Sequence, residues 1–330
     1  MSQQLHPDDS RMTWQGAISL QQTEAWTMPW RIAYEDHVLF PNPLLERASM
    51  PAGVRLAFRS DTEAIAGKIE RQQEVAKLDL CCDGILIGSV ELAGQDCFRF
   101  EPLPSGDKLI ELWLPQYGVF RLQSIELNDG ATVQPFDDTR PRWTTYGSSI
   151  TQCRAAESPI YTWPAIVARE RGFNLTCLGY GGQCHLDAMI ARMIRDHPAD
   201  YISICAGINI QGGATLNART FRPAIIGSVQ IIREKHPDTP LALISPIYSA
   251  PREENRNTVG LNLRMMRKEV AAAVEALRTR GDRNVHYIDG LGVFGPTHAH
   301  LLPDDLHPNA EGYKVLGRNF LDTVADSVFH

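Results

Sequence analysis

The chain has 330 residues, a formal net charge of −7 and 43% hydrophobic residues, without a low-complexity tract. Its length exceeds the ~100–150 residues near which single domains cluster, so we expect two domains. The acidic balance and the lack of a Lys/Arg run argue against a nucleic-acid partner. No stretch approaches the ~18 apolar residues that cross a bilayer, and the N-terminus lacks signal-peptide character, so we expect no membrane association.

The seven cysteines are spread along the chain without a C-x-x-C pair. An odd number in this arrangement favours reduced thiols over a disulfide framework. We therefore expect a cytoplasmic location.

Up to about residue 140, the apolar residues form short runs that mostly alternate with polar ones, which predicts β-strands. The runs are GVRLAF (53–58), KLDLCC (77–82), GILIGSVEL (84–92), KLIELWL (108–114) and FRLQSIEL (120–127). Asp83-Gly84 lies between two of them and is typical of a tight hairpin. One short helix is expected near residues 43–48. Residues 1–140 are thus predicted to form a β-sandwich domain.

After the polar stretch DDTRPR (137–142), short apolar runs alternate with helical patterns. The expected strands are WTTYG (143–147), NLTCLGYG (174–181), YISICAG (201–207), LALISPI (241–247) and VHYIDG (285–290). The expected helices cover 163–172, 186–196, 221–235, 262–280 and 310–327. This alternation predicts an α/β domain over 141–330, with a parallel sheet covered by helices on both faces. In such a sheet, ligands bind beyond the carboxyl ends of the strands.

Polar residues that suit nucleophilic catalysis follow these strands or lie on the last loop. Ser149 comes directly after the first strand, whereas Asp304 and His307 precede the last helix. A serine hydroxyl becomes a good nucleophile when a histidine takes its proton and a carboxylate orients that histidine. Pro308 disfavours helix at His307, so the Asp-x-x-His segment can meet the geometry within one loop.

Acyl transfer also needs hydrogen-bond donors for the developing oxyanion. The backbone amide of Ser149, the backbone amide of Gly182 and the side-chain amide of Asn209 are the candidates. All three follow predicted strands, and a glycine at 182 allows the backbone to approach a substrate closely.

Over residues 143–327 the chain resembles the SGNH (GDSL-type) hydrolases. Four blocks carry the resemblance, in the family's order: YGSSIT (146–151), LGYGGQ (178–183), AGIN (206–209) and DLHPNAEGY (305–313). The resemblance implies a flavodoxin-like α/β/α domain, no metal or other cofactor, and ester hydrolysis or acyl transfer through an acyl-serine. The β-domain ahead of it resembles, in architecture alone, some carbohydrate esterases and a natural-product O-acyltransferase of the GDSL type.

Carried over block by block, the resemblance implies that Ser149 is the nucleophile, His307 the general base and Asp304 its orienting acid. It likewise implies that Gly182 and Asn209 are oxyanion donors.

Three positions depart from the family pattern. Ser148 replaces the usual aspartate before the nucleophile, Gly181 stands where a serine often occurs, and Ile210 replaces an aspartate that often follows the asparagine. None of them removes a catalytic group, but they leave the hydrogen bonding of the pocket open.

Some alternatives remain at this point. Asp305 also has a spacing to His307 that an extended loop could use, so geometry alone does not exclude it. His298 and His300 could compete as base or suggest a metal, although no supporting ligand pattern accompanies them. The ordinary G-x-S-x-G elbow is excluded because residue 151 is threonine.

We expect a serine esterase that cleaves a small-acyl ester, with an O-acyltransferase as the alternative and a non-catalytic glycan-binding protein as a third possibility. The partner is then a small ester or acyl donor, such as an acetylated sugar or a derivative of a natural-product alcohol. Arg154, Gln183 and His185 are candidate substrate-binding residues on sequence position alone.

Overall fold

The computed structural model describes residues 2–329. Its N-terminal part is built from antiparallel strands. They are β1 (Ser2–Leu5), β2 (Thr13–Gln15), β3 (Ser19–Gln22), β4 (Thr27–Trp30), β5 (Arg55–Ser60), β6 (Ile65–Ile69), β7 (Leu78–Cys82), β8 (Ile85–Val90), β9 (Cys97–Phe100), β10 (Lys108–Trp113) and β11 (Leu122–Asn128). One sheet has the order β3-β4-β11-β6-β9, with β1 also paired to β11, and the other has the order β2-β5-β10-β7-β8.

Apolar side chains from both sheets pack into one core, which confirms the predicted sandwich. Buried residues such as Phe58 and Ile110 of one sheet and Phe98 and Ile125 of the other belong to it. The hairpin between β7 and β8 is also confirmed, because both turn residues, Asp83 and Gly84, have positive φ angles as such a turn requires.

The parallel sheet follows, with strands β12 (Arg142–Gly147), β13 (Asn174–Gly179), β14 (Tyr201–Cys205), β15 (Leu241–Ile244) and β16 (Val285–Ile288). Its order is β13-β12-β14-β15-β16, and all four pairings are parallel. This is the doubly wound order 2-1-3-4-5 of a flavodoxin-like sheet. The predicted fold class is confirmed, and all five predicted strands are present.

The helices are α1 (Asn42–Ala48), α2 (Ser149–Gln152), α3 (Trp163–Arg171), α4 (Ala188–Asp196), α5 (Ile208–Gly213), α6 (Phe221–Arg233), α7 (Ala250–Glu254), α8 (Leu263–Thr279), α9 (Gly290–Val293), α10 (Ala310–Phe320) and α11 (Asp326–Val328). Short 3₁₀ segments cover Tyr34–Leu39, Pro159–Tyr161 and Pro296–Leu301. The helix expected over 310–327 is interrupted, because a π-helical turn at Leu321–Ala325 separates α10 from α11. No helix within residues 2–329 is long and apolar enough to span a membrane.

Two helical layers cover the parallel sheet. Helices α4, α6 and α8 contribute to one apolar cluster, and α3 and α10 to the other. The first cluster also contains Ile32, Phe40, Leu44 and Ala48, which come from the segment between β4 and β5. A piece of the N-terminal half is therefore packed into the α/β layer. The division of the chain at residues 140/141 stays a prediction.

Candidate functional site

Ser149 lies at the carboxyl edge of the parallel sheet, at the start of α2. Strand β12 ends at Gly147, and the hydroxyl of Ser148 caps the helix by accepting a hydrogen bond from the Ile150 amide at 3.2 Å. Ser148 thus has a local structural role at the position where the resembled family has aspartate. The cap holds the turn that exposes the next residue, Ser149, to the cavity described below.

A chain of hydrogen bonds joins Ser149, His307 and Asp304. Ser149 Oγ lies 2.8 Å from His307 Nε2, and His307 Nδ1 lies 2.6 Å from Asp304 Oδ2. The other carboxylate oxygen, Oδ1, accepts the backbone amides of His307 at 2.7 Å and Leu306 at 3.1 Å. The structure therefore brings together the three side chains that the sequence indicated.

The same contacts define where the protons lie. Since Nδ1 faces a carboxylate, it carries the imidazole proton, and Nε2 is left to accept from the serine hydroxyl. Burial by itself would raise the pKa of Asp304, but the hydrogen bonds from His307 outweigh it and hold that pKa below its usual value. Asp304 is therefore ionised at neutral pH, as an orienting acid must be.

Asp305 does not contact the imidazole ring. Its φ is +58°, and its backbone oxygen accepts a hydrogen bond from Ser249 Oγ at 2.7 Å. The two acids are thus distinguished by geometry: Asp304 binds the ring, and Asp305 forms a turn.

The glycine block of β13 lies against α2. A Cβ at Gly179 would come within 2.4 Å of the Gln152 backbone nitrogen, so this close approach requires glycine. Gly181 donates its amide to Gln152 Oε1 at 2.8 Å, and Gly182 has a φ of +75°. Within residues 2–329, no acceptor binds the amides of Ser149 or Gly182. Both amides remain free to bind a ligand oxygen.

Asn209 lies in the first turn of α5, and its side chain is oriented by a neighbouring backbone. Its Oδ1 accepts the Cys184 amide at 3.0 Å, which leaves Nδ2 as the group that can donate to a ligand. The following residue, Ile210, is fully buried in the core. An apolar side chain at 210 therefore packs the helix, where the resembled family often has aspartate.

These residues surround a cavity of about 840 Å³. It is lined by Arg47, Tyr117, Ser149, Gln152, Arg154, Ala155, Gly181, Gly182, Asn209, Pro303, Asp304, Leu306, His307, Pro308, Asn309, Ala310 and Tyr313. The volume lies within the range of small-molecule sites, and most of the lining side chains are apolar or neutral.

The three candidate substrate-binding residues lie in different places. Arg154 lines the cavity, whereas Gln183 and His185 are absent from its lining within the described chain. The His185 ring lies 2.9 Å from Thr215 Oγ1 and 3.0 Å from the Gly182 carbonyl oxygen. His185 therefore supports the glycine loop from outside the cavity.

Three polar residues of the cavity wall were among those that sequence reasoning missed. Arg47 comes from α1 and Tyr117 from the loop after β10, both in the N-terminal half, and Gln152 lies on the turn that carries the nucleophile candidate. No local pattern marks Arg47 and Tyr117, because their place depends on packing between distant segments, whereas the position of Gln152 three residues after Ser149 could have indicated it.

The two further histidines do not form a competing site. His298 and His300 lie on a 3₁₀ segment outside the cavity wall, and the His298 ring packs on Phe294 with ring centroids 5.1 Å apart. In the part of the chain that the structure describes, no three His, Cys, Asp or Glu side chains converge as metal ligands would.

The comparisons with known proteins agree with the fold. Residues 145–315 match the GDSL-like lipase/acylhydrolase family, and residues 12–123 match the N-terminal domain of SsfX3. A salicylyl-acyltransferase, SsfX3, from a tetracycline biosynthetic pathway is 37% identical, with a TM-score of 0.92 over 98% of this chain and 97% of that one. A search of curated protein sequences gave no match.

Two more distant structures share the fold over nearly the whole chain. A protein of Bacteroides ovatus described as a GDSL-like lipase is 20% identical, with a TM-score of 0.81, 99% coverage of this chain and 98% of that one. A family two carbohydrate esterase from Cellvibrio japonicus is 13% identical, with a TM-score of 0.68 and the same coverages.

A flavodoxin-like sheet with four ordered motif blocks, preceded by a β-sandwich, is the architecture of the SGNH family with an added N-terminal domain. The chain belongs to the GDSL-like lipase/acylhydrolase family. It is therefore an enzyme of the class that acts on esters.

Replacing Asp304 by Asn tests the assignment of the acid. Asparagine keeps the shape but favours the wrong tautomer of His307, so we expect kcat for 4-nitrophenyl acetate to fall by about 10³-fold or more. The matched control is Asp305→Asn, which suits the positive φ and should keep kcat within about 2-fold of the wild type. The reverse ranking of the two variants would contradict the assignment.

Proposed function

We propose that the chain is a serine esterase that cleaves a small-acyl ester through an acyl-serine at Ser149. The observation that carries the proposal is the hydrogen-bond chain from Asp304 through His307 to Ser149 Oγ, at the wall of a cavity large enough for a small molecule. A histidine held in this tautomer can take the hydroxyl proton as the oxygen attacks an acyl carbonyl.

The first half of the proposed reaction forms the acyl-enzyme. Ser149 Oγ bonds to the carbonyl carbon while its proton passes to His307 Nε2, and the carbonyl oxygen becomes an oxyanion. The amides of Ser149 and Gly182 and the Nδ2 of Asn209 donate to that oxygen, each worth about 3–4 kcal/mol at a well-placed position. The intermediate then expels the alcohol, which takes the proton from His307.

The second half reverses the roles. Water loses a proton to His307 as it attacks the acyl-serine, and the carboxylic acid leaves as Oγ regains its proton. Water can reach the pair, because the side chain of His307 is 36% exposed and that of Asp304 is 54% exposed. This access favours hydrolysis over transfer.

We propose a division into a β-domain at 1–140 and a catalytic domain at 141–330, a cytoplasmic location, and acetylated sugars or esters of natural-product alcohols as substrate classes. The apolar lining residues Ala155, Leu306 and Ala310 suit a compact acyl group or ring.

Replacing Ser149 by Ala tests the nucleophile. We expect kcat for 4-nitrophenyl acetate to drop by at least about 10³-fold, because the remaining groups stabilise the oxyanion without supplying a nucleophile. Ser105→Ala, in an exposed loop between β9 and β10, is the control and should match the wild type. A fluorophosphonate should label the native control but neither Ser149→Ala nor heat-denatured protein. Turnover retained in Ser149→Ala would exclude the proposed mechanism.

A second candidate is transfer of the acyl group to an alcohol. It is supported by the 37% identity, over 98% of this chain, to a protein named as a salicylyl-acyltransferase. The acyl-serine forms as before, and an alcohol oxygen replaces water in the second half.

The partition of the acyl group between water and an alcohol separates the two candidates. The enzyme is given 4-nitrophenyl acetate with a series of phenols, sugars and aliphatic alcohols, and acetate and acetylated products are quantified by mass spectrometry. We expect acetate to remain the main product throughout, because the exposed cavity admits water. A saturable acceptor that diverts most of the acyl group would instead establish acyl transfer.

A further inference from the structure

A cationic side chain from the N-terminal half lies beside the proposed nucleophile. Arg47, near the end of α1, lines the cavity. A Cβ built on Gly181 would be 3.6 Å from Ser149 Cβ and 3.7 Å from Arg47 Cδ. The side chains of Arg47 and Ser149 therefore both lie close to Gly181, and Arg47 lies beside Ser149 in the cavity wall.

The guanidinium of Arg47 has no carboxylate partner among residues 2–329. Its polar contact is with Met50 Sδ at 4.0 Å, and the residue is only partly exposed. A guanidinium at a cavity wall that lacks a protein carboxylate leaves the place of a counter-charge open to a ligand. An anionic ligand group in the cavity would supply that counter-charge.

The other charged side chains of the cavity wall do not neutralise the positive charge of Arg47. Asp304 is the one carboxylate in the lining within the described chain, and its oxygens already accept hydrogen bonds from His307 and Leu306. Arg154 adds a second guanidinium, 3.8 Å from the centre of the Tyr117 ring. Its ion pair with Glu74 is long, at 3.9 Å, and both side chains are more than 60% exposed, so the pair neutralises little.

Local structure holds Arg47 in this position. Its backbone oxygen accepts a hydrogen bond from the buried guanidinium of Arg31, and Leu44 and Ala48 anchor α1 in the core. A side chain at 181 would meet Gln152 Oε1 at 3.0 Å and the stem of Arg47. Glycine at 181, where the resembled family often has serine, thus avoids a tight contact with Gln152, and the Arg47 stem lies within van der Waals distance of this position.

We propose that Arg47 is a specificity-determining residue that binds an anionic group of the substrate, a carboxylate or phosphate, close to the scissile ester. Arg154, stacked on Tyr117, extends this anion subsite towards the rim. A planar guanidinium suits such a group because it donates two parallel hydrogen bonds. The inference rests on the proposed acyl chemistry at Ser149 and adds the class of substrate.

Matched esters that differ in one charge test the proposal. One pair carries the charge on the leaving group: 3-acetoxybenzoate against 3-acetoxybenzamide. The other pair carries it on the acyl group: mono-4-nitrophenyl adipate against its terminal amide. The measured quantity is the ratio of kcat/KM for the anionic ester to kcat/KM for the neutral one. The variants are Arg47→Met and Arg47→Lys, and the control is Arg283→Met, an exposed arginine just before β16, at the opposite edge of the sheet.

We expect the ratio to favour the anionic ester in the wild type and to fall about 10- to 100-fold in Arg47→Met, mainly through KM, as loss of a charge-assisted contact implies. The ratio in Arg47→Lys should lie between those of the wild type and Arg47→Met, because lysine keeps the charge but lacks the paired donors. The control should keep the wild-type ratio. The pair that responds identifies whether the anion belongs to the acyl group or to the alcohol.

The proposal would be overturned if the ratio of kcat/KM for the anionic ester to kcat/KM for the neutral ester stayed within 2-fold of the wild-type ratio. This result would have to hold in both Arg47 variants and for both pairs of esters. Circular dichroism would report a folding defect in Arg47→Met. In that case Arg47→Lys, which retains an aliphatic stem and a charge, still tests the proposal. Failure of the anion subsite is separable from failure of the acyl chemistry: in the first case the neutral esters are still cleaved by the wild type and not by Ser149→Ala.

Discussion

The hydrogen bond between Ser149 Oγ and His307 Nε2 joins the start of α2 to a loop 158 residues further along the chain. Its geometry depends on where α10 lies, because the Asp304–His307 loop leads directly into that helix. An aromatic cluster fixes α10 on the sheet: the Phe320 ring lies 4.8 Å from Trp163 and 5.3 Å from the fully buried Trp143, measured between centroids. Packing on one face of the sheet therefore sets the distance between Ser149 and His307.

The glycine block depends on a different constraint, a buried arginine from the other half of the chain. Arg31 is fully buried and donates to the carbonyl oxygens of Cys177 and Gly179, as well as to those of Met50 and Arg47. Burial lowers the pKa of Arg31, and carbonyl dipoles take the place of water around its charge. The end of β13 and the end of α1 are thus tied to one group, which gives the N-terminal half a direct part in forming the cavity.

Because both halves of the chain form the cavity, some of its features could be predicted from the sequence and others could not. The parallel strands and long helices follow from strong apolar periodicity, and Ser149, Asp304 and His307 follow from motifs that lie within a few residues of a strand end or a helix start. Asp304 and Asp305 were not separable by spacing. In the structure the carboxylate of Asp304 binds the ring, and Asp305 has a positive φ.

Features set by long-range packing were not visible. The short strands β1 and β2 form because they pair with the longer strands β11 and β5. Strand β4 contains a proline and pairs with β3 and β11. Arg47 lies in a helix whose sequence gives no sign of a ligand site. Its place beside Ser149 results from the burial of α1 against the α/β layer, an arrangement that no local pattern encodes.

The proposed reaction requires a covalent acyl group at Ser149, and peptide mapping after rapid quenching measures that group directly. The enzyme is mixed with a 4-nitrophenyl ester of a bulky, slowly released acyl group, quenched in acid during the burst and digested for mass spectrometry. The account predicts the mass of one acyl group on the peptide that contains Ser149, rising with the burst of 4-nitrophenol. A burst without this adduct, or an acyl group on another residue such as Cys184, would contradict it.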